Sequence, residues 1–471
     1  MESTNQNQKG KGGKRPSNRS DWIKSGLGKH VATIDTSTLA LGPNEVNSNA
    51  ASEHVCSYNW ATTANHSIFV PGKRAQIRSP LPHSAHPITT GAPPKWTSPT
   101  LPVTLPPDSG VFFIDQNGYK MPSCPFIPLF SALRATKPSF SFAGVDLLTN
   151  RNSLRKLLGV AENRPSQSFR IDATLVRDTL VLFRREHSLR EFLPAKGGGG
   201  GASYGHGFEA AFTAQEEPRL QASASHYRAI KYELGALRCV VQFEVDAWYE
   251  AGEQADAPTA QSQGEKQDDG LLDGIVQGMD GLALDVAGRA GEPSVPLTPS
   301  SRQKAQRPKG KGQSQGSTCL SVLNGHVEHQ PSPQQLAEIK VRSKKPFQSS
   351  KAIPQMWFGR TPYLISGVHD QGVFSEIRVE NVGESFPEWE SRSQEPLKKL
   401  VAVITQLKEI LIEERQKMAG MSDGGSPASM TWAITCDHKV RPARLLIHDL
   451  AKSSKTVAVP QEYMEVFWPE H

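Results

Sequence analysis

The sequence predicts one core of mixed α and β structure, either α+β or mixed α/β, preceded by a long arm and interrupted by a long insertion. Three observations carry that expectation. Strand-like apolar runs alternate with helical patterns between residues 110 and 450. One stretch near the end repeats its leucines and isoleucines at three- and four-residue steps, the period of a packed helix. Residues 251–336 contain no Phe, Trp or Tyr, so that segment lacks the side chains a core needs. Gly (39) and Pro (35) make up about one residue in six of the 471 and concentrate outside the patterned stretches.

Taken in order, the first thirty residues set Lys9, Lys11, Lys14, Arg15, Arg19, Lys24 and Lys29 against only Glu2 and Asp21. This is the composition of a solvated, disordered tail, and also of a nuclear address or a salt-sensitive contact with phosphates. Tyr58, Trp60, Ile68 and Val70 form a short apolar patch able to dock as an extended strand, and the proline-rich span from Pro80 to Pro107 cannot be helical. Residues 1–109 are therefore expected to be an arm. Residues 110–250 and 337–471 are the two parts of the core, and 251–336 is a low-complexity surface insertion, acidic first and basic from Arg302. Within the core, Val111 to Ile114 is apolar and Leu154 to Leu158 helical. Phe169 to Val176 and Leu180 to Arg184 read as a hairpin across Arg177-Asp178-Thr179. Gly207 to Thr213 opens a helix, and Tyr227 to Leu234 and Leu237 to Ala247 are strands hinged at Gly235. After the insertion come strands at 337–342, 363–368 and 373–379. A helix over 395–418 carries Leu397, Leu400, Ile404, Leu407 and Leu411 on one face, and two closing strands lie near 431–435 and 443–448.

Composition excludes several classes. Cys56, Cys124, Cys239, Cys319 and Cys436 are scattered, odd in number and contain no CxxC, which argues against a disulfide framework or a thiolate zinc site. No run of about 18 apolar residues would span a membrane. The expectation is a soluble intracellular protein with net charge +6. Gly197 to Gly201 is not followed by Lys-Ser/Thr, so a phosphate-cradling loop is not supported, and Asp268-Asp269 lacks the third acid of a diphosphate-binding helix.

The informative feature is a set of acids inside apolar strands. In Val241-Gln242-Phe243-Glu244-Val245-Asp246, Glu244 and Asp246 share one strand face. Two carboxylates so placed repel each other and lose hydration unless a cation lies between them. Ala337-Glu338-Ile339-Lys340-Val341 sets an acid and a lysine on one face, and Gly205-His206-Gly207-Phe208-Glu209 turns tightly into a helix with Glu209 in its first turn. Hard divalent cations take such oxygens and can hold a scissile phosphate, and a nearby lysine can orient water or neutralise phosphoryl charge. An acid pair on one strand with Glu-x-Lys on the next is the pattern of the PD-(D/E)xK nuclease core. Each piece alone is common on surface strands; their combination in one order is far more specific.

At these residues the chain resembles the nuclear decapping exoribonucleases of the DXO type, which act on abnormally capped RNA 5′ ends. Asp146-Leu147-Leu148-Thr149-Asn150-Arg151-Asn152-Ser153-Leu154-Arg155-Lys156-Leu157-Leu158 is similar, without a gap, to that family's arginine motif. Gly205 to Glu209, Glu244-Val245-Asp246 and Glu338-Ile339-Lys340 stand for its other three motifs, and Gln355-Met356-Trp357-Phe358-Gly359 resembles a further conserved stretch of that family. Asn150, Asn152 and His206 depart from the family's usual residues, and the insertion is longer than usual.

The resemblance implies that the two core parts form one catalytic domain holding two magnesium ions, with manganese as a substitute. Glu209, Glu244, Asp246 and Glu338 would be the ligands, with the Ile339 carbonyl completing one shell. Lys340 and Gln355 would contact the scissile phosphate or the water, and Arg151 would grip a 5′-terminal phosphate. Asn150 and Asn152 sit where the family contacts nucleotide, and Tyr227 falls at another substrate-contacting position. The implied function is a metal-dependent decapping hydrolase and 5′–3′ nuclease in the nucleus, with the cytoplasm as a second location. The alternative is a weakened paralogue that binds RNA and supports a partner exonuclease.

Overall fold

The structure, a computed structural model, describes residues 21–63, 66–71, 91–194, 202–251, 320–324, 331–420, 430–451 and 458–470. Its strands begin with Leu27–Asp35 (β1), Glu53–Ala61 (β2), Ser67–Val70 (β3), Lys95–Trp96 (β4), Val103–Thr104 (β5) and Gly110–Phe113 (β6). Helices Gln116–Lys120 (α1) and Ile127–Thr136 (α2) lead to Leu147–Asn150 (β7) and helix Arg151–Ala161 (α3). Phe169–Val176 (β8), Thr179–Arg185 (β9) and Arg190–Leu193 (β10) precede helix Gly205–Phe212 (α4). Next come Thr213–Ala214 (β11), Ser223–Leu234 (β12), Leu237–Val245 (β13), Ala247–Trp248 (β14), Ser321–Asn324 (β15) and Leu336–Ser343 (β16). Helix Ile353–Gly359 (α5), strands Tyr363–Asp370 (β17) and Val373–Asn381 (β18), and helices Phe386–Arg392 (α6) and Gln394–Ala419 (α7) follow. Thr431–Cys436 (β19), Arg444–Leu450 (β20) and helix Gln461–Phe467 (α8) end the chain.

Two large mixed sheets result, the fold class the sequence predicts. The first runs β1-β20-β19-β8-β9-β7-β13-β12-β2-β3-β15, the second β11-β4-β14-β16-β17-β18-β5, and β10 pairs separately with β6. Apolar alternation explains the first sheet's helical cover. Leu397, Leu400, Val403, Ile404, Leu407 and Leu411 of α7 are buried and packed with Leu154, Leu157 and Leu158 of α3 in one core cluster. On the sheet's opposite face, Tyr58, Trp60, Phe130, Phe142, Phe183 and Phe467 join a second cluster. A third, around Trp96, Phe208, Ile339, Ile365 and Phe374, belongs to the second sheet.

The boundaries need two corrections. The core does not begin at residue 110, because β1 to β5 all lie in the supposed arm and pair into the sheets. Strand β1 escaped notice because it is half-solvated: Lys29 and His30 point to water and only Ile34 of the strand is fully buried. It pairs with β20 along one edge of the first sheet. The insertion is also shorter than 251–336, since Ser321–Asn324 runs parallel to β3 and covers an otherwise open edge. Residues 1–20 and 252–319, which carry the basic tail and most of the insertion, lie outside the described residues.

The ends of the insertion meet in the second sheet. Trp248 pairs with Leu336, Ala247 with Ala337, and the Tyr249 amide donates to the Gln335 carbonyl at 2.7 Å. Replacing residues 252–319 by a short Gly/Ser linker should therefore leave one cooperative thermal transition at nearly the native temperature, because closure entropy depends weakly on loop length. Loss of the transition in scanning calorimetry would assign that segment to the core.

Candidate active site

The acids lie where the two sheets part. Strand β13 belongs to the first sheet and β14 to the second, and Asp246 is the single residue between them. The chain crosses there from one sheet to the other beside β16, and Asp246 Oδ2 accepts the Ile339 amide at 2.8 Å. Alternation along β13 sends Phe243 and Val245 into the core under α3 and α7, and Gln242 and Glu244 to the opposite face.

A polar ladder crosses three strands on that face. Tyr58 of β2 pairs with Tyr227 of β12, which pairs with Glu244 of β13. The two tyrosine rings stack at 5.3 Å and 10°. Tyr227 donates its hydroxyl to Glu244 at 3.1 Å, while Gln242 Nε2 donates to the Tyr58 oxygen at 2.7 Å. Tyr58 and the Trp60 indole both donate to Asn117 Oδ1, at 2.9 and 2.8 Å. The rungs hold Glu244, which is 7% exposed, at the wall of a cleft. Asn117, Asn150, Arg151, Asn152, Arg184 and Tyr227 also line that cleft.

Helix α4 brings Glu209 from the other side. Asp108 caps its first turn, accepting the His206 and Gly207 amides at 3.1 and 2.7 Å. The helix lies directly on β17 because position 367 is glycine: a Cβ there would come within 2.7 Å of the Phe208 ring. Any larger residue would lift Phe208, and Glu209 with it.

Glu338 of β16 is 0% exposed and fully engaged. Its Oε2 accepts Arg151 Nη1 at 3.0 Å, and its Oε1 accepts both the Lys340 ammonium and the Gln355 amide. Arg151 opens α3 immediately after Asn150, whose side chain caps the helix by accepting the Ser153 amide at 2.9 Å. Gly359 at the end of α5 leaves room for the guanidinium, since a Cβ there would sit 3.3 Å from Arg151 Nη1.

The electrostatics show one shared field. Burial first, then the charges of Asp246, Glu244 and Glu338, push the Glu209 carboxyl well above the usual carboxylate range. Burial and then Glu338 push Asp246 up to about 8, with Lys340 and the Ile339 amide opposing, although both acids keep part of their surface exposed. Glu209 and Asp246 thus gain affinity for a positive charge, proton or metal, from burial and from the neighbouring acids.

Hard oxygen donors of this kind suit a divalent cation, and their mutual repulsion is what such an ion relieves. In this conformation, among the described residues, no three His, Cys, Asp or Glu side chains are arranged to hold a metal. Arg151 bonds one oxygen of Glu338, and Lys340 and Gln355 the other.

The structure gathers most of the residues singled out in the sequence. Arg151, Glu338, Lys340 and Gln355 are directly bonded, Asp246 is tied to them through Ile339, and Tyr227 is bonded to Glu244. Asn150 and Asn152 line the cleft, with Asn150 also capping α3. Sequence reasoning missed Tyr58, Asp108, Asn117, Arg184 and Gln242. Gln242 carried a signal, two residues before Glu244 on the same strand face. Tyr58 was legible only as part of an apolar patch that docks as a strand, and Asp108, Asn117 and Arg184 come from distant segments with no local pattern.

The acids thus gather where the two sheets part, with Glu244 and Arg151 at the wall of the cleft and Lys340 bonded to Glu338. Residues 29–269 and 300–426 match the family described as "Domain of unknown function (DUF8563)", and the chain belongs to that family. No curated protein matches it. Among solved structures it is similar to Schizosaccharomyces pombe Rai1 in complex with 3′-FADP (11% identity, 89% of this chain and 99% of that one, TM-score 0.48). It is similar to Candida albicans Rai1 in complex with pU5 and Mn2+ (11%, 91% and 99%, 0.46). It is also similar to Kluyveromyces lactis Dxo1 in complex with manganese (7%, 91% and 99%, 0.43).

Proposed function

We propose that the protein is a divalent-metal-dependent hydrolase of RNA 5′ ends, removing a cap-like group or digesting 5′ to 3′. The observation that carries this reading is the convergence of Glu209, Glu244, Asp246 and Glu338 on one field, with Lys340 and Arg151 at its edge. The four acids and the Ile339 carbonyl would hold two magnesium ions, or manganese in their place. A cation bound there supplies Lewis acidity and neutralises charge on the phosphate. Lys340 brings its amine to the phosphoryl oxygens, Gln355 orients the water through its amide, and Arg151 offers a planar fork to a terminal phosphate. Tyr227 holds Glu244 in register. The basic residues between Lys9 and Lys29 support work in the nucleus.

A second reading has one observation in its favour. With both Glu338 oxygens taken by Arg151, Lys340 and Gln355, the chain suits a weakened paralogue that binds RNA beside a partner exonuclease. One assay separates the two. RNAs bearing 5′ triphosphate, cap or monophosphate are incubated with the full-length protein, with magnesium or manganese and with chelator. Metal-dependent release of a 5′ group or of nucleotides, at many turnovers, is the expected result. Binding without turnover on every end would favour the paralogue.

A further inference from the structure

The small sheet of β6 and β10 has two unlike faces. Inward, Phe112 lies flat on His206 of α4, ring centres 3.6 Å apart and planes 2° apart, and Glu191 approaches His206 Nε2 at 4.0 Å. Outward, Phe192 stands opposite Val111 and Arg190 opposite Phe113, four side chains on one face by strand alternation. Phe192 is 71% exposed and Val111 47%. Tyr119 of α1, 38% exposed, lies 5.2 Å from Phe113, and the Arg190 guanidinium sits 4.2 Å over its ring.

Two of the elements around this face also contribute to the cleft. Asn117 of α1 lines the cleft wall two residues before Tyr119, and Arg184 of β9 lines it just before the chain turns into β10. The inward side rests on the helix that carries Glu209.

We propose that this outward face stacks the bases of a single-stranded RNA whose 5′ end lies in the cleft. This rests on the proposed function and deepens it. Every base has a π-face, so Phe192, Tyr119 and Arg190 offer sequence-tolerant stacking, and the guanidinium complements the phosphate charge. A protein partner fits less well: five side chains on two four-residue strands and a short helix fall far short of the roughly 1,600 Å² a stable protein interface covers.

The test compares a 5′-phosphorylated oligouridylate decamer with the dinucleotide pUpU, titrated against the full-length protein with metals chelated. Phe192→Ala and Tyr119→Ala should each weaken the decamer roughly five- to hundredfold, the range of one lost base–aromatic stack, and leave the dinucleotide unchanged. Phe192→Trp should keep decamer affinity. A decamer carrying 2-aminopurine should lose its binding-induced fluorescence change on Phe192→Ala. Decamer affinity unchanged in both alanine variants overturns the stacking surface. Decamer binding that depends on Phe192 in a protein that ignores the 5′ phosphate overturns the 5′-end reading and leaves the surface standing. A wild-type protein that binds neither ligand overturns both.

Discussion

Glu338→Ala should abolish hydrolysis and make the metal-free protein easier to unfold, whereas Asp246→Asn should abolish hydrolysis and make it harder to unfold at pH 8. Both side chains are acids of the same cluster, and the sequence alone predicts the same outcome for each, relief of crowded like charge. Their partners separate them. Glu338 balances Arg151 and Lys340, both under a tenth exposed, so truncation strands two buried cations and costs about 3–5 kcal/mol. Among the described residues Asp246 accepts the Ile339 amide, and it carries a pKa raised to about 8 by burial and by Glu338. A folded-state pKa above the unfolded one means that the folded chain binds the proton more tightly. Stability is therefore lost as pH rises from about 4 to about 8, and the loss is constant beyond. The Asp246→Asn variant lacks that loss. Its urea midpoint, measured in chelator, should exceed the wild-type value increasingly between pH 5 and 8. A variant less stable than wild type at pH 8, or Glu338→Ala as stable as wild type, would refute the assigned charge balance.

Arg151→Ala should cost substrates with a 5′ phosphate roughly ten- to hundredfold more than those with a 5′ hydroxyl, the worth of about 1.5–3 kcal/mol of charge-assisted hydrogen bonding. Because Arg151 also binds Glu338, the variant will lose some activity on every substrate. Taking the ratio of kcat/KM for the two ends on the same variant cancels that common loss. Arg151→Lys keeps the charge but not the planar fork and should recover only part of the ratio. Equal losses on both ends would leave Arg151 with a single task, holding Glu338.

Legibility followed the range of the interactions. The hairpin at Arg177, the hinge at Gly235 and the span of α7 were readable because local periodicity and turn chemistry decide them. Glu244, Asp246, Glu338 and Lys340 were readable because ionisable groups in apolar strands conflict with their surroundings. Strand β1 was not, since its core-facing side is one isoleucine among solvated residues. Nor was Asn117, whose part depends on meeting Tyr58 and Trp60 from another segment. The Glu338–Arg151 bridge was equally hidden: the two residues are 187 positions apart, and no pattern in either stretch names the other.

The pairing of Trp248 with Leu336 bears on how the candidate active site is inherited. Glu209, Glu244 and Asp246 come before that join, and Glu338 and Lys340 after it. The hydrogen bonds of β14 and β16 already fasten the two stretches, so the peptide between them does not determine the distance from Asp246 to Glu338. Material can be gained, lost or cut between residues 252 and 319 without moving an acid, while Ser321–Asn324 stays paired with β3. A lineage can therefore rewrite that connection freely, adding docking sequences or sites for modification, while the chemistry on either side stays under a single constraint: the two ends must still meet in one sheet.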